Sequence, residues 1–344
     1  MTRQAPVGHA EYLATRVFAG LDGVRALSVT AVVWHHAGVA AWVPMLANGF
    51  LGVDVFFVLS GFLIVTLLLR ERDRRGSISL RDFYARRTLR IFPLYYGLIG
   101  GLMLAHAVHP LEFTAPVMAH APELLTYTAN FFAVPGALAV TWSLAAEEQF
   151  YLVWPAIERT CGRLWWPVWL AALVVSQAFN FGLLPQLGLP VLEATFTPIL
   201  LGVGLAHALH SPVGFAWFGR HLARPAARWI GLALLLGLVN IPGDIAGPVR
   251  LAFHVTVTAT LGAVVLHNGT TGVLTAWPLR RIGVVSYGVY LLHMFVLAVV
   301  ERATPGLPPA LRFAAVLTAT WLAAELSYRG FERRFLALKH RFVR

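Results

Sequence analysis

Between Leu21 and Trp42 runs an apolar stretch long enough to cross a bilayer, and it carries Asp22, Arg25, His35 and His36. Ionisable side chains inside a membrane helix are costly, so they call for a partner or a function. Arg25 and His36 are eleven positions apart, which at about 100° per residue returns to within roughly 20° of the same helical face. Asp22 lies one turn before Arg25 on that face, whereas His35 points elsewhere. A carboxylate, a guanidinium and an imidazole therefore line one stripe, with Arg25 and His36 separated by roughly 16 Å along the axis. The structural readings of the same residues are an arginine that snorkels to the headgroups and a histidine that only hydrogen-bonds a neighbouring helix.

Three further constellations carry chemistry. In TWSLAAEEQFYLVW, Ser143, Glu147, Phe150 and Trp154 share a stripe and Glu148 sits about 100° away. Glu147 is thus placed either to orient a histidine or to form a structural ion pair between helices. In RDFYARRTLRIFP, Arg87 and Arg90 are three apart with Arg86 beside them. Paired guanidiniums on one face suit phosphate oxygens, because each offers a planar fork of donors; juxtamembrane arginines also anchor a helix and set its orientation. In SYGVYLLHMF, Ser286 and His293 share a face in a segment without Arg or acid, which favours a buried, hydrogen-bonded histidine. Asp54, in GVDVFFVLSG, reads as a cap or a contact to the first span, and His207 and His254, without local motifs, read as packing or interface residues.

The elements that must position these groups are membrane helices. Of 344 residues, 58% are hydrophobic and 12% charged, with a mean hydropathy of +0.69, far from the roughly 25% charged content of a soluble domain. The net charge of +11 needs no nucleic acid, because the arginines cluster in short segments between apolar runs as the positive-inside rule requires. A single cysteine, Cys161, excludes an internal disulfide, and no CxxC or His/Cys spacing suggests a metal. The basic lead and apolar run at the start resemble a signal peptide, but the run is too long for an ordinary h-region and reads as a retained first span.

The expected fold is all-α: a polytopic bundle of about ten spans, both termini cytoplasmic. Residues 1–20 form a cytoplasmic lead, 21–328 the membrane domain and 329–344 a basic tail. Span one runs from about Leu21 to Val43, followed by a turn containing Pro44, Asn48 and Gly49. Span two ends in a dense run of arginines from Arg70 to Arg90, and span three covers about Ile91 to Val108, where Gly97 and Gly101 have the small-xxx-small spacing of close helix approach. Pro122 to Leu138, broken by Pro135 and Gly136, reads as re-entrant or interfacial. TWSLAAEEQFYLVWPAIE then runs inward, and spans follow near Trp165 to Leu184, Glu193 to His210, Trp229 to Ile241, Arg250 to His267, Ile282 to Val300 and Leu311 to Tyr328. Loops placed inside carry Arg220, Arg224 and Arg228, then Arg280 and Arg281; those placed outside, around Pro185, Pro242 and Pro305, are poor in Lys and Arg.

Taken in order, LDGVRALSVTAVVWHH, GVDVFFVLSGFLI, FYARRTLRIFPLYY, WSLAAEEQFYLVWP and SYGVYLLH resemble acyltransferase family 3, a family of integral membrane acyltransferases. The likeness extends from about Gly20 to Arg334 and includes the ending ELSYRGFERRF, Glu325 to Phe335. Some relatives carry a soluble hydrolase-like domain after the membrane part, and this sequence ends without one. The resemblance implies transfer of an acyl group, most often acetyl from acetyl-CoA, to a hydroxyl of a carbohydrate or glycosylated small-molecule acceptor at the cytoplasmic (inner) membrane. It implies that His36 and Arg25 match the family's essential pair, and Arg87 and Arg90 its cytoplasmic diarginine motif. A neutral histidine is chemically suited to this, since it can take the proton of an attacking hydroxyl; Arg25 would hold polar atoms of the donor or bias the imidazole. The rival class is a transporter, with His36 and Glu147 as a proton relay, against which stands the absence of two related halves with paired broken helices.

Overall fold

The computed structural model describes residues 7–39, 47–184, 196–242, 245–267 and 272–342. Among them the chain is helical throughout, without strands. In order the α-helices are α1 His9–Ala14, α2 Leu21–His36, α3 Gly52–Arg75, α4 Leu80–Val108, α5 Ala115–Ala119, α6 Ala121–Leu125, α7 Thr141–Cys161 and α8 Trp165–Asn180. They continue as α9 Phe196–His210, α10 Pro212–Leu222, α11 Pro225–Val239, α12 Gly247–Leu266, α13 Trp277–Val284, α14 Ser286–Ala303, α15 Pro309–Ser327 and α16 Arg333–Ala337.

By length and composition four helical runs can cross a membrane: Gly49–Arg75, Leu80–Val108, Gly247–Leu266 and Pro309–Phe342. Two bent pairs raise this to six, α9 with α10 at 105° and α13 with α14 at 77°. In the second pair Val285 separates two helices within the stretch read as a span from Ile282 to Val300. The first span is also shorter than its apolar stretch. α2 stops at His36, where Ala37 N–H donates to the Val33 carbonyl, Gly38 N–H to that of His35, and Gly38 adopts a φ of 73°. That left-handed glycine ends the helix without the penalty a side chain would meet. Pro44 lies outside the described residues. Residues 112–138 hold helical pieces of five residues or fewer, too short to span.

The described chain divides into two compact units, residues 7–77, 157–184 and 196–284, and residues 78–156 and 285–342. In the first, α3 lies along α9 so closely that a Cβ on Gly61 would strike the Ile199 carbonyl and one on Gly202 the Val58 carbonyl. These two glycines carry the backbone approach that the sequence assigned to Gly97 and Gly101. A Cβ on Gly97 would instead lie 3.6 Å from the Phe331 ring, and one on Gly101 would meet open space. The start of α3 is set against α2 in the same way, with Gly49 on the Ala31 carbonyl and Gly52 on that of Ser28.

In the second unit α4 is 29 residues long, about 43 Å, well beyond the roughly 30 Å of hydrocarbon. Its first turns, which bear the arginines, therefore have length to spare outside the apolar layer. Hydroxyls tie its helices together: Tyr290 Oη lies 2.6 Å from Ser143 Oγ, and Tyr287 Oη donates to the Ile91 carbonyl at 3.1 Å. The loop before α7 is held by Gln149, which exchanges amide hydrogen bonds with Asn130 and donates to the Tyr127 carbonyl at 2.9 Å. Tyr127 is the one non-glycine residue at positive φ among the described residues, and its ring stacks on Tyr95 at 4.3 Å.

Candidate active site

In the first unit, the helical phase read from the sequence places Asp22 and Arg25 in contact. Arg25 Nη1 meets Asp22 Oδ1 at 2.6 Å, with both side chains about one-fifth exposed. A carboxylate held by this guanidinium leaves α2 locally neutral, which lowers the cost of carrying two ions in an apolar helix. His35 and His36 close the helix. His35 turns away from the stripe: its Nδ1 lies 3.1 Å from the Ala47 carbonyl and its ring is set edgewise on Phe50. His36 is half-buried, with its ring set edgewise on that of His35 at 5.4 Å. Of the two adjacent imidazoles, then, the backbone carbonyl and the aromatic ring of the following segment fix His35.

The second unit holds Glu147, Arg87 and Arg90. Tyr151, one turn after Glu147 on α7, donates its hydroxyl to Glu147 Oε1. The Arg87 guanidinium lies over the Tyr151 ring, 4.5 Å from its centroid. A guanidinium stacked on an aromatic face keeps its in-plane N–H groups available for an anion. Glu147 thus acts on Arg87 through Tyr151, a link between two predicted residues that helical phase alone did not reveal. The neighbouring charges are Glu148, in the field of Arg87, and Glu332, in the field of Arg90 and hydrogen-bonded by Ser327 at 3.0 Å.

The C-terminal segment adds a cation here. Leu338–Phe342 forms a 3-10 turn packed on α4, and Arg86 Nη1 donates to the Phe342 carbonyl at 2.7 Å. Lys339, half-buried in that segment, lies in the field of Arg90, Arg87 and Arg86.

The acyltransferase domain family matches residues 18–328. The chain belongs to that family. Relatives include the peptidoglycan O-acetyltransferase OatA of Listeria monocytogenes, 29% identical over 91% of this chain and 54% of the relative. The putative peptidoglycan O-acetyltransferase YrhL of Bacillus subtilis is 30% identical over 92% and 55%, and the O-acetyltransferase OatA of Staphylococcus aureus 29% over 92% and 57%. The chain thus spans about half the length of the curated relatives it matches. No solved structure gives a significant match.

Other polar groups of this acyltransferase domain are placed by the fold rather than by motif. Asp54, expected to cap its helix or meet the first span, instead accepts from His254 Nε2 at 2.9 Å and lies 3.3 Å from Arg250 Nη2, both on α12. Asp54 and His254 are almost wholly buried. His207, expected to be packing, lies 2.7 Å from buried Glu158 and stacks flat on Trp165 at 3.5 Å. A signal for the first network was present in the sequence: Arg250 and His254 are four apart, two polar groups on one face of an apolar helix. His293 is the buried, hydrogen-bonded residue expected, its Nδ1 against the Tyr290 carbonyl.

Proposed function

We propose that this protein is a membrane O-acyltransferase that moves an acetyl group from acetyl-CoA to a hydroxyl of a carbohydrate or glycosylated acceptor. One observation carries the reading: the acyltransferase family match over residues 18–328 takes in His36, Arg25, Glu147, Arg87 and Arg90 together. The acetyltransferase names of the relatives favour acetyl as the group moved, and peptidoglycan in two of those names favours a sugar hydroxyl as acceptor. His36 acts as general base. It takes the hydroxyl proton as the oxygen attacks the thioester carbonyl, and returns it to the departing CoA thiolate when the tetrahedral intermediate collapses. Arg25, neutralised by Asp22, holds polar atoms of the donor. Arg87 and Arg90 bind donor phosphate, with Glu147 fixing Arg87 by way of Tyr151.

The site is carried in the cytoplasmic membrane by about ten spans with both termini inside, an arrangement supported by the alternation of arginine-rich and arginine-poor loops. The test is CoA release from labelled acetyl-CoA by purified protein in the presence of oligosaccharide acceptor. Acceptor-dependent release supports an enzyme; transport of a solute without release would leave the carrier as the answer. Reporters fused after Arg75 and Arg224 should read cytoplasmic and one near Pro242 outside, and a cytoplasmic signal at Pro242 would rule out ten spans.

A further inference from the structure

Lys339 is a half-buried cation of the C-terminal segment. It makes no hydrogen bond or ion pair with any described residue. It nevertheless lies folded back on α4 in the field of three guanidiniums, Arg86, Arg87 and Arg90. The geometry of that return is specific. In a 3-10 turn residues three apart lie on one side, so Lys339 and Phe342 share a side, and Phe342 is held to α4 by Arg86. On α4 itself Arg86, Arg87 and Arg90 are spaced i, i+1 and i+4, which brings Arg90 over the other two. The nearest acids serve the arginines: Glu332 faces Arg90 and Glu148 faces Arg87. The remaining charges on either side of Lys339, Arg333, Arg334, His340 and Arg341, are exposed.

A lysine placed among three cations without an acid is a poor structural ion and a good anion ligand. Like charges in one place repel, and a doubly charged oxyanion converts that repulsion into attraction. We propose that Lys339 is a phosphate ligand, delivered by the C-terminal segment, and that with Arg86, Arg87 and Arg90 it encloses a phosphate group of the acyl-CoA donor or of an anionic lipid headgroup. As a source of that phosphate, the donor rests on the functional reading above; the headgroup does not.

The test uses the full-length protein in nanodiscs of phosphatidylcholine alone or with phosphatidylglycerol. Binding of CoA, 3′-dephospho-CoA and inorganic pyrophosphate is followed by calorimetry. If the donor is the source, Lys339→Gln weakens CoA about tenfold in phosphatidylcholine, as loss of one charge-assisted contact predicts. Lys339→Arg restores most of that affinity. If the headgroup is the source, Lys339→Gln leaves CoA unchanged but releases phosphatidylglycerol, counted by native mass spectrometry. Unchanged CoA, pyrophosphate and phosphatidylglycerol binding in a folded Lys339→Gln protein overturns the proposal. Arg87→Gln and Arg90→Gln separate it from the functional reading: a loss of CoA affinity there, with neither CoA nor phosphatidylglycerol binding changed in Lys339→Gln, sinks the role of Lys339 alone. CoA binding untouched in all three variants sinks the donor role of the arginines, and the proposal then stands or falls on phosphatidylglycerol.

Discussion

The two units use charge in different ways. In the first, acids and cations are matched across helices, Asp54 with Arg250 and His254, Glu158 with His207 and Arg72, Asp73 with His210 at 3.0 Å, and within α2, Asp22 with Arg25. The second also has pairs, an exposed one of Arg312 with Glu301 and one of Arg329 with buried Glu325. Its distinctive feature is the opposite arrangement, Arg86, Arg87, Arg90 and Lys339 gathered in one place. A matched pair buried between helices fixes their register, and removing one member leaves an uncompensated ion. Gathered like charges repel one another, and an anion that reaches them relieves that repulsion. His36 lies apart from these pairs: it ends α2 half-buried, its ring set edgewise on that of His35.

That contrast can be broken by mutation, and the largest effect falls on His36. His36→Ala is expected to lower CoA release by about 10² to 10⁴, the usual weight of a general base, while donor affinity holds. His35→Ala should retain most of the rate, because His35 is committed to the Ala47 carbonyl; equal losses in the two variants would remove the distinction between them.

Next in size is the matched network. Asp54→Ala strands His254 and Arg250 and should cost about 3 to 5 kcal/mol, read as a fall in thermal unfolding temperature in detergent, with little change in donor KM for the fraction that remains folded. Wild-type stability in that variant would show that the buried pairing is not structural.

The gathered cations predict the reverse pattern. Arg87→Ala or Arg90→Ala should raise donor KM by about one to two decades, from about 1.5 to 3 kcal/mol per charge-assisted contact, and should leave unfolding temperature nearly unchanged. Lysine at either position should rescue only in part, lacking the planar fork. If both alanine variants keep wild-type donor KM and instead fail to insert, the arginines are topological anchors. The smallest expected effect is at Tyr151. Tyr151→Ala removes the buried ring under Arg87 and should raise donor KM about five- to thirtyfold, the worth of a cation–π contact of about 1 to 2 kcal/mol. Tyr151→Phe keeps the ring and loses the hydroxyl on Glu147, so a matching rise there would assign the effect to the carboxylate link rather than to stacking.

Much of the candidate site was legible because it is local. The Asp22 and Arg25 contact follows from three residues of helix, and the divergence of His35 from His36 from a single step of about 100°. The all-helical fold follows as directly from composition, since in hydrocarbon each segment must satisfy its own backbone. The bend at Val285 and the stop at Gly38 were missed because neither shows in hydropathy, which averages over a window longer than the break. The small-residue rule was sound and its positions were not: Gly61 and Gly202 face each other's helices, whereas Gly101 faces open space.

By itself the sequence determined what a single helix decides: which residues share a stripe, where apolar runs begin and where basic segments fall, because those depend on a fixed rotation per residue and on the cost of burying charge. Tertiary structure alone decided which distant residues meet. Asp54 and His254 are 200 positions apart and Arg86 and Phe342 are 256 apart. Nothing in either local sequence names its partner, because helices packed through non-directional apolar contact leave the choice of neighbour to the fit of the whole surface.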